Sequence, residues 1–130
     1  MYHIIVNPAS RSGRGLKIWK QIEPLLLKKK VSYQVYFSKK PGDVEAEALR
    51  LSGLHTPVKL ILLGGDGTLN EALQGLHPLS SFTIGYIPTG SSNDLARDLH
   101  LPTEPAAALD VILKEEHITP MDVGVVEYEN

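Results

Sequence analysis

The run Val58-Lys59-Leu60-Ile61-Leu62-Leu63 is followed at once by Gly64-Gly65-Asp66-Gly67-Thr68-Leu69-Asn70-Glu71. The apolar run has the length and branching of a strand buried on both faces, and Leu69, Ala72, Leu73 and Leu76 then recur at helical spacing. Strand, glycine turn and helix in that order predict one unit of a parallel α/β sheet. Glycine permits positive φ and lacks the Cβ that keeps a ligand off the backbone. A turn with glycines at 64, 65 and 67, opening a helix, can therefore aim N–H groups at an anion such as phosphate.

Asp66 cuts across that reading. A carboxylate inside an anion-binding turn repels phosphate unless a cation lies between them or the carboxylate is turned away into hydrogen bonds; Mg²⁺ carried on a nucleotide would reconcile the charges. A purely structural reading stands beside it. Thr68 and Glu71 have the T-x-x-E spacing of a capping box, in which each side chain satisfies a backbone N–H of the other's residue.

The remainder of the chain repeats the pattern. Tyr2 to Val6 reads as a first strand, leading into the small, polar loop Asn7-Pro8-Ala9-Ser10-Arg11-Ser12-Gly13-Arg14-Gly15 and a helix with Ile18, Ile22, Leu25 and Leu26 on one side. Pro24 lacks the N–H for the bond back to Lys20 and is expected to bend or restart this helix. The loop's hydroxyls, arginines and amides suit a nucleotide phosphate, and equally a plain connection with helix-capping serines. Val31, Tyr33, Val35 and Phe37 alternate with polar or amphipathic residues through Ser38 and predict a strand. Pro41-Gly42-Asp43 then turns the chain, with Asp43 expected to cap a helix through Val44, Ala48 and Leu51.

Residues 82–87 predict the next strand, and Pro88 to Asn93 a loop before a helix containing Leu95, Ala96 and Leu99, with Ser91 or Ser92 as its cap. Thr103-Glu104-Pro105 starts a further helix through Ala108, Leu109, Ile112 and Leu113, and 118–126 reads as extended. Strands alternating with helices imply a three-layer, Rossmann-like α/β domain with a mostly parallel sheet and helices on both faces. Ligands of such sheets bind beyond the carboxyl ends of the strands, where Asn7 to Arg11, Gly64 to Glu71 and Gly90 to Asp94 converge.

Three motifs in this order, G-G-D-G-T-L-N-E, the Asn7-Pro8-Ala9-Ser10 segment with its glycine-rich sequel, and Ile87-Pro88-Thr89-Gly90-Ser91-Ser92-Asn93-Asp94, resemble the catalytic domain family of diacylglycerol kinases. Sphingosine kinases, NAD kinases and phosphofructokinases share that superfamily, and bacterial lipid kinases are the nearest in pattern. The family usually writes the third motif G-T-G-N-D, so Ser92 stands where a glycine is usual. The resemblance spans essentially the whole chain and implies the N-terminal nucleotide-binding domain of a lipid kinase, residues 1–130. It implies that Asp122-Val123-Gly124 leads into a β-rich lipid and catalytic domain that this sequence does not contain.

On that resemblance the loops hold ATP and Mg²⁺ while a lipid hydroxyl, such as that of diacylglycerol, attacks the γ-phosphorus. Gly64, Gly65 and Gly67 would allow close backbone approach; Asp66 would face the metal or its waters; Thr68, Leu69, Asn70 and Glu71 would contact phosphates or support the loop. Asn7, Pro8, Ala9, Ser10 and Arg11 would form a second phosphate wall, with Ser38 on the adenine side and Ser91 nearer the nucleotide than the bracing Asn93 and Asp94. No general base can be assigned within these residues. Two alternatives stand beside this reading: an NAD-kinase-like enzyme with a soluble substrate, and a non-catalytic nucleotide-binding or assembly module.

Composition narrows the partners. With 13 basic and 15 acidic residues the net charge is −2, so there is no electrostatic footprint for nucleic acid. The Lys28-Lys29-Lys30 cluster reads as a solvated helix end. The sequence has no cysteine, which excludes disulfides and thiolate chemistry, and the N-terminus has no signal-peptide pattern. No apolar run approaches the roughly 18 residues of a membrane span. The expected setting is cytoplasmic, with any membrane contact peripheral at the inner face. Self-association through an uncovered 118–126 edge is also expected.

Overall fold

The computed structural model describes residues 1–54, 57–76, 82–89 and 104–113, with residues 10–12 described for their backbone alone. Four strands, β1 (Tyr2–Val6), β2 (Tyr33–Phe37), β3 (Val58–Gly64) and β4 (Phe82–Pro88), alternate with α1 (Ser10–Lys28), α2 (Asp43–Ser52) and α3 (Asp66–Gly75), and α4 (Pro105–Leu113) follows. The strands form one sheet in the order β2-β1-β3-β4, every neighbour pair parallel. The three-layer parallel α/β expectation therefore holds, including the helices on both faces.

The strand order explains the layering. From β1 the chain steps to β2 on one side and then returns past β1 to β3 on the other, so a single crossover hand must put α1 on one face and α2 and α3 on the opposite one. Ile4, Val6, Ile61, Leu63 and Ile87 meet Ile18, Trp19, Ile22 and Leu26 of α1 and Ala108 and Leu109 of α4. Ile5, Leu60, Leu62 and Tyr86 meet Val44, Ala48 and Leu51 of α2 and Leu69, Ala72 and Leu73 of α3. Alternate residues of each strand feed opposite cores, which is why the inner strand β3 reads as an unbroken apolar run with Lys59 as its one exposed residue. Each fully buried Leu or Ile contributes about 1.5–3 kcal/mol, so these two layers dominate the stability.

Several local expectations are corrected. Pro24 does not restart α1, which is continuous from Ser10 to Lys28. The proline is exposed while Ile22 and Leu26 on either side are anchored in the core, and that anchorage holds the helix through the missing bond. Asp43 is not the cap of α2. Gly42 occupies that position at φ 94°, and Asp43 Oδ2 instead accepts the N–H groups of Lys39 and Lys40 at 2.8 and 3.2 Å. A left-handed N-cap turns the carboxylate back over the preceding loop rather than onto the helix. Expectations for Gly90 to Thr103, for the helix at Leu95 and for 118–126 lie outside the described residues.

The end of α1 is closed by a Schellman motif. Val31 N–H donates to Leu26 O at 3.0 Å and Lys30 N–H to Leu27 O at 3.1 Å, with Lys30 in the left-handed region at φ 57°. Val31 is thus spent on the cap, which is why β2 begins at Tyr33 rather than at 31. Glycine is the residue that takes this conformation without a Cβ penalty. Lys30→Gly should accordingly raise the unfolding free energy by about 0.5–1 kcal/mol, readable as an unchanged urea m-value with a higher midpoint.

Candidate functional site

Because all four strands are parallel, their carboxyl ends lie in one row. The ladder continues one residue past β1, β2 and β4: Asn7 N–H bonds Leu63 O, Ser38 N–H bonds Val6 O and Thr89 N–H bonds Gly64 O, each at 2.9 Å. The crevice where the strand order reverses lies between β1 and β3, the position at which open α/β sheets take their ligands. The Asn7 loop and the glycine turn flank it.

The two loops are joined across that crevice. Asn7 Nδ2 donates to Thr68 Oγ1 at 3.0 Å, 61 residues apart in sequence. Thr68 is buried, and it reaches this position because α3 starts at Asp66 with Gly65 as its extended N-cap, φ −89° and ψ −172°. The capping box is therefore absent. With the helix starting at Asp66, Thr68 is the third helical residue, already turned inward, and Glu71 is a full turn further on. Glu71 Oε1 instead accepts the Gly42 N–H at 3.0 Å, tying α3 to the turn before α2. The N-cap Gly65 makes no side-chain capping bond, and the acidic residue of the first turn is Asp66.

The glycines serve two different purposes, and neither is positive φ, which among the described glycines occurs at Gly13 and Gly42. A Cβ on Gly64 would lie 2.5 Å from the Thr68 side chain, so Gly64 is glycine for packing. A Cβ on Gly67 would meet nothing within 4 Å. That is open space over the first turn of α3, where a ligand can lie against the backbone.

Tyr86 was not singled out from the sequence. Its ring is 4% exposed, and its hydroxyl lies 3.1 Å from Gly64 O and 3.4 Å from Asp66 Oδ1. Burial, reinforced by the Asp66 carboxylate, pushes the phenol well above its ordinary range, so it remains a protonated donor. The available signal was a hydroxyl-bearing ring in an otherwise apolar strand end, two residues before Pro88.

Of the other expected residues, Ser38 is buried at the end of β2 and Asn70 is exposed on α3, while Leu69 points into the core. Pro8 O accepts the Leu16 N–H at 3.1 Å and Ala9 O the Gly13 N–H at 3.4 Å, folding the Asn7 loop onto the start of α1. Ser10 and Arg11 lie in the first turn of α1. Ser91 lies outside the described residues. Among the described residues no three His, Asp or Glu side chains converge to hold a metal ion, so Asp66 could bind one only together with a ligand's own oxygens. Among the described residues no helix is long and apolar enough to cross a membrane.

Residues 1–126 match the family model of the diacylglycerol kinase catalytic domain. The chain belongs to that family. A diacylglycerol kinase of Staphylococcus saprophyticus is 40% identical over 126 residues, covering 93% of this chain and 39% of the relative. A diacylglycerol kinase of Staphylococcus aureus is also 40% identical, covering 93% of this chain and 38% of the relative. A solved diacylglycerol kinase structure from Bacillus anthracis superposes with a TM-score of 0.74 at 31% identity, over 88% of this chain and 42% of that one. The chain thus spans well under half the length of the diacylglycerol kinases it matches.

The contact between Gly64 and Thr68 gives a direct test of this architecture. Gly64→Ala should displace Thr68, loosen its bond to Asn7 and cost about 1–3 kcal/mol by overpacking, measured by chemical denaturation.

Proposed function

We propose that this chain is the nucleotide-holding part of a lipid kinase that transfers the γ-phosphate of ATP to a lipid hydroxyl such as that of diacylglycerol. The observation that carries the proposal is the Asn7–Thr68 bond, which sets two polar loops on either side of the switch-point crevice beside the open space over Gly67. Membership of the diacylglycerol kinase family and the names of its relatives support the lipid acceptor.

In this reading the first N–H groups of α3 and the backbone at Gly65 and Gly67 bind phosphate oxygens. Asn7 would contact the phosphates from the opposite side, with Ser10 and Arg11 at the start of α1 as further phosphate contacts and Ser38 on the adenine side. Asn70, Glu71 and, in the third motif, Ser91 complete the set, with Glu71 acting by bracing the turn before α2. Mg²⁺ brought with the nucleotide supplies charge neutralisation, and Asp66 is the residue that would hold it or its waters. The chain's own contribution is then positioning, which lowers the barrier by fixing the donor phosphate before the acceptor arrives. The group that takes the acceptor's proton, the lipid pocket and any peripheral contact with the inner membrane face belong to sequence beyond these residues.

Two measurements test this. Calorimetric titration should show ATP and ADP binding that strengthens with Mg²⁺; Gly67→Val should fold normally, since its side chain enters open space, yet bind at least about tenfold more weakly by filling the phosphate approach. Undiminished binding by that variant would place the nucleotide elsewhere. Transfer of labelled phosphate to diacylglycerol in mixed micelles should require the sequence after Asn130. Comparable transfer by the 130-residue chain alone would show that the proton acceptor lies within it.

A further inference from the structure

We propose that the outer edge of β2 is the interface of a two-fold homodimer, in which β2 pairs antiparallel with β2 of a second copy and α1 packs beside its counterpart. This interface is independent of the nucleotide reading above.

β2 is the last strand on its side of the sheet, and among the described residues no strand pairs with its outer edge. The ladder to β1 fixes which of its backbone groups are unused. Tyr2 N–H donates to Ser32 O and Ser38 N–H to Val6 O, each at 2.9 Å, so the even-numbered residues of this segment turn their polar groups toward β1. The N–H and C=O groups of Tyr33, Val35 and Phe37 therefore point outward. Open edges are commonly blunted by a charge, a proline or a bulge. From Val31 to Ser38 the sequence has neither a charged residue nor a proline, and the register with β1 runs unbroken from Tyr33 to Phe37.

The edge is complementary to itself. A two-fold axis at Val35 sets Val35 opposite Val35, and Tyr33 opposite Phe37 of the second copy, as pairs that exchange both backbone bonds. Tyr33 and Val35 pack against the α1-side core, and the Phe37 ring stands edge-on to Trp19 at 6.0 Å. All three side chains thus lie on one face, where the Tyr33–Phe37 pairs meet as cross-strand aromatic neighbours.

The flank of α1 matches the same axis. One side of α1 faces α4, where Lys29 Nζ lies 3.5 Å from Asp110 Oδ1. The other side overhangs β2: the Tyr33 hydroxyl donates to Glu23 Oε2 at 2.8 Å, and Leu16, Lys20 and Leu27 share that side with Glu23 at helical spacing. Leu16, Leu27 and Phe37 remain 38%, 63% and 36% exposed, a row of large apolar side chains along one border. Among the described residues neither Lys20 nor Glu23 has an ion-pair partner. Two antiparallel copies of α1 set Lys20 against Glu23 of the second copy, and Leu16 against its Leu27, on both sides of the axis. A parallel arrangement would set like charge against like, so the pattern selects the antiparallel one. The carboxyl edges of the two copies then face opposite ways, and each crevice stays open.

Sedimentation velocity of the 130-residue chain, and of the protein extended past Asn130, should show a concentration-dependent dimer, with amide exchange at Tyr33, Val35 and Phe37 slowed in the dimer. Lys20→Glu and Glu23→Lys should each weaken it at least about tenfold, and an equimolar mixture of the two should associate to within about threefold of the parent, because each variant then meets its opposite charge. Val35→Pro removes an outward N–H that the monomer does not use and should abolish pairing. If that variant does not fold, the charge variants still decide. A protein that stays monomeric up to about 0.1 mM, a dimer that both charge variants leave unchanged, or weakening that mixing does not reverse would overturn the inference. So would a dimer whose slowed amides lie elsewhere, such as 118–126. An extended protein that is monomeric with the β2 amides already protected would show that its own downstream sequence covers this edge, and would overturn it as well.

Discussion

The close approach of Thr68 to the end of β3 is the contact on which the arrangement of the crevice depends. It exists because Gly64 has no Cβ; any side chain there would occupy the space of the threonine. With Thr68 seated, the first turn of α3 is held against the strand it leaves, and its hydroxyl oxygen is presented to Asn7 across the β1–β3 boundary. A missing atom thus lets two neighbouring strands form the two sides of one crevice.

From that point α3 acts as the common support of the carboxyl edge. Its residues, together with Gly64 at the end of β3, bond to the β1 loop through Asn7, to the turn before α2 through Glu71, and to β4 through Tyr86 and Thr89. Each such bond is worth about 0.5–1.5 kcal/mol, far less than the burial of the leucines on the same helix. The bonds therefore do not hold the fold together. They select, among the positions the apolar core permits, the one that aligns the loops.

The core itself imposes an asymmetry on the site. The reversal of strand order sends α1 to one face and α2 and α3 to the other, so the Asn7 loop enters a helix on one side of the sheet and the glycine turn enters a helix on the opposite side. The crevice between them is open for the same topological reason that the layers are balanced.

Much of this was legible in the sequence, and the reason is periodicity. The unbroken apolar run of β3, the alternation in β2 and the helical spacing of Leu69, Ala72 and Leu73 depend on which faces are buried, and burial writes itself into residue order. The meeting of the Asn7 loop and the glycine turn followed too, since parallel strands bring their carboxyl ends together whatever their exact lengths. What only the tertiary structure decided were the partners of individual polar groups. Thr68 and Glu71 have the spacing of a local capping pair, yet Thr68 is bonded to a residue 61 positions away and Glu71 to one 29 positions away. Asp43 has the composition of a cap and serves the loop behind it. Gly64, Gly65 and Gly67 are alike in sequence, but Gly64 makes room for Thr68 whereas Gly67 faces open space. Tyr86 carried no spacing signal at all. A short polar side chain can satisfy several partners at nearly equal cost, so the choice among them falls to the packing of strands and helices remote in sequence, which local order does not encode.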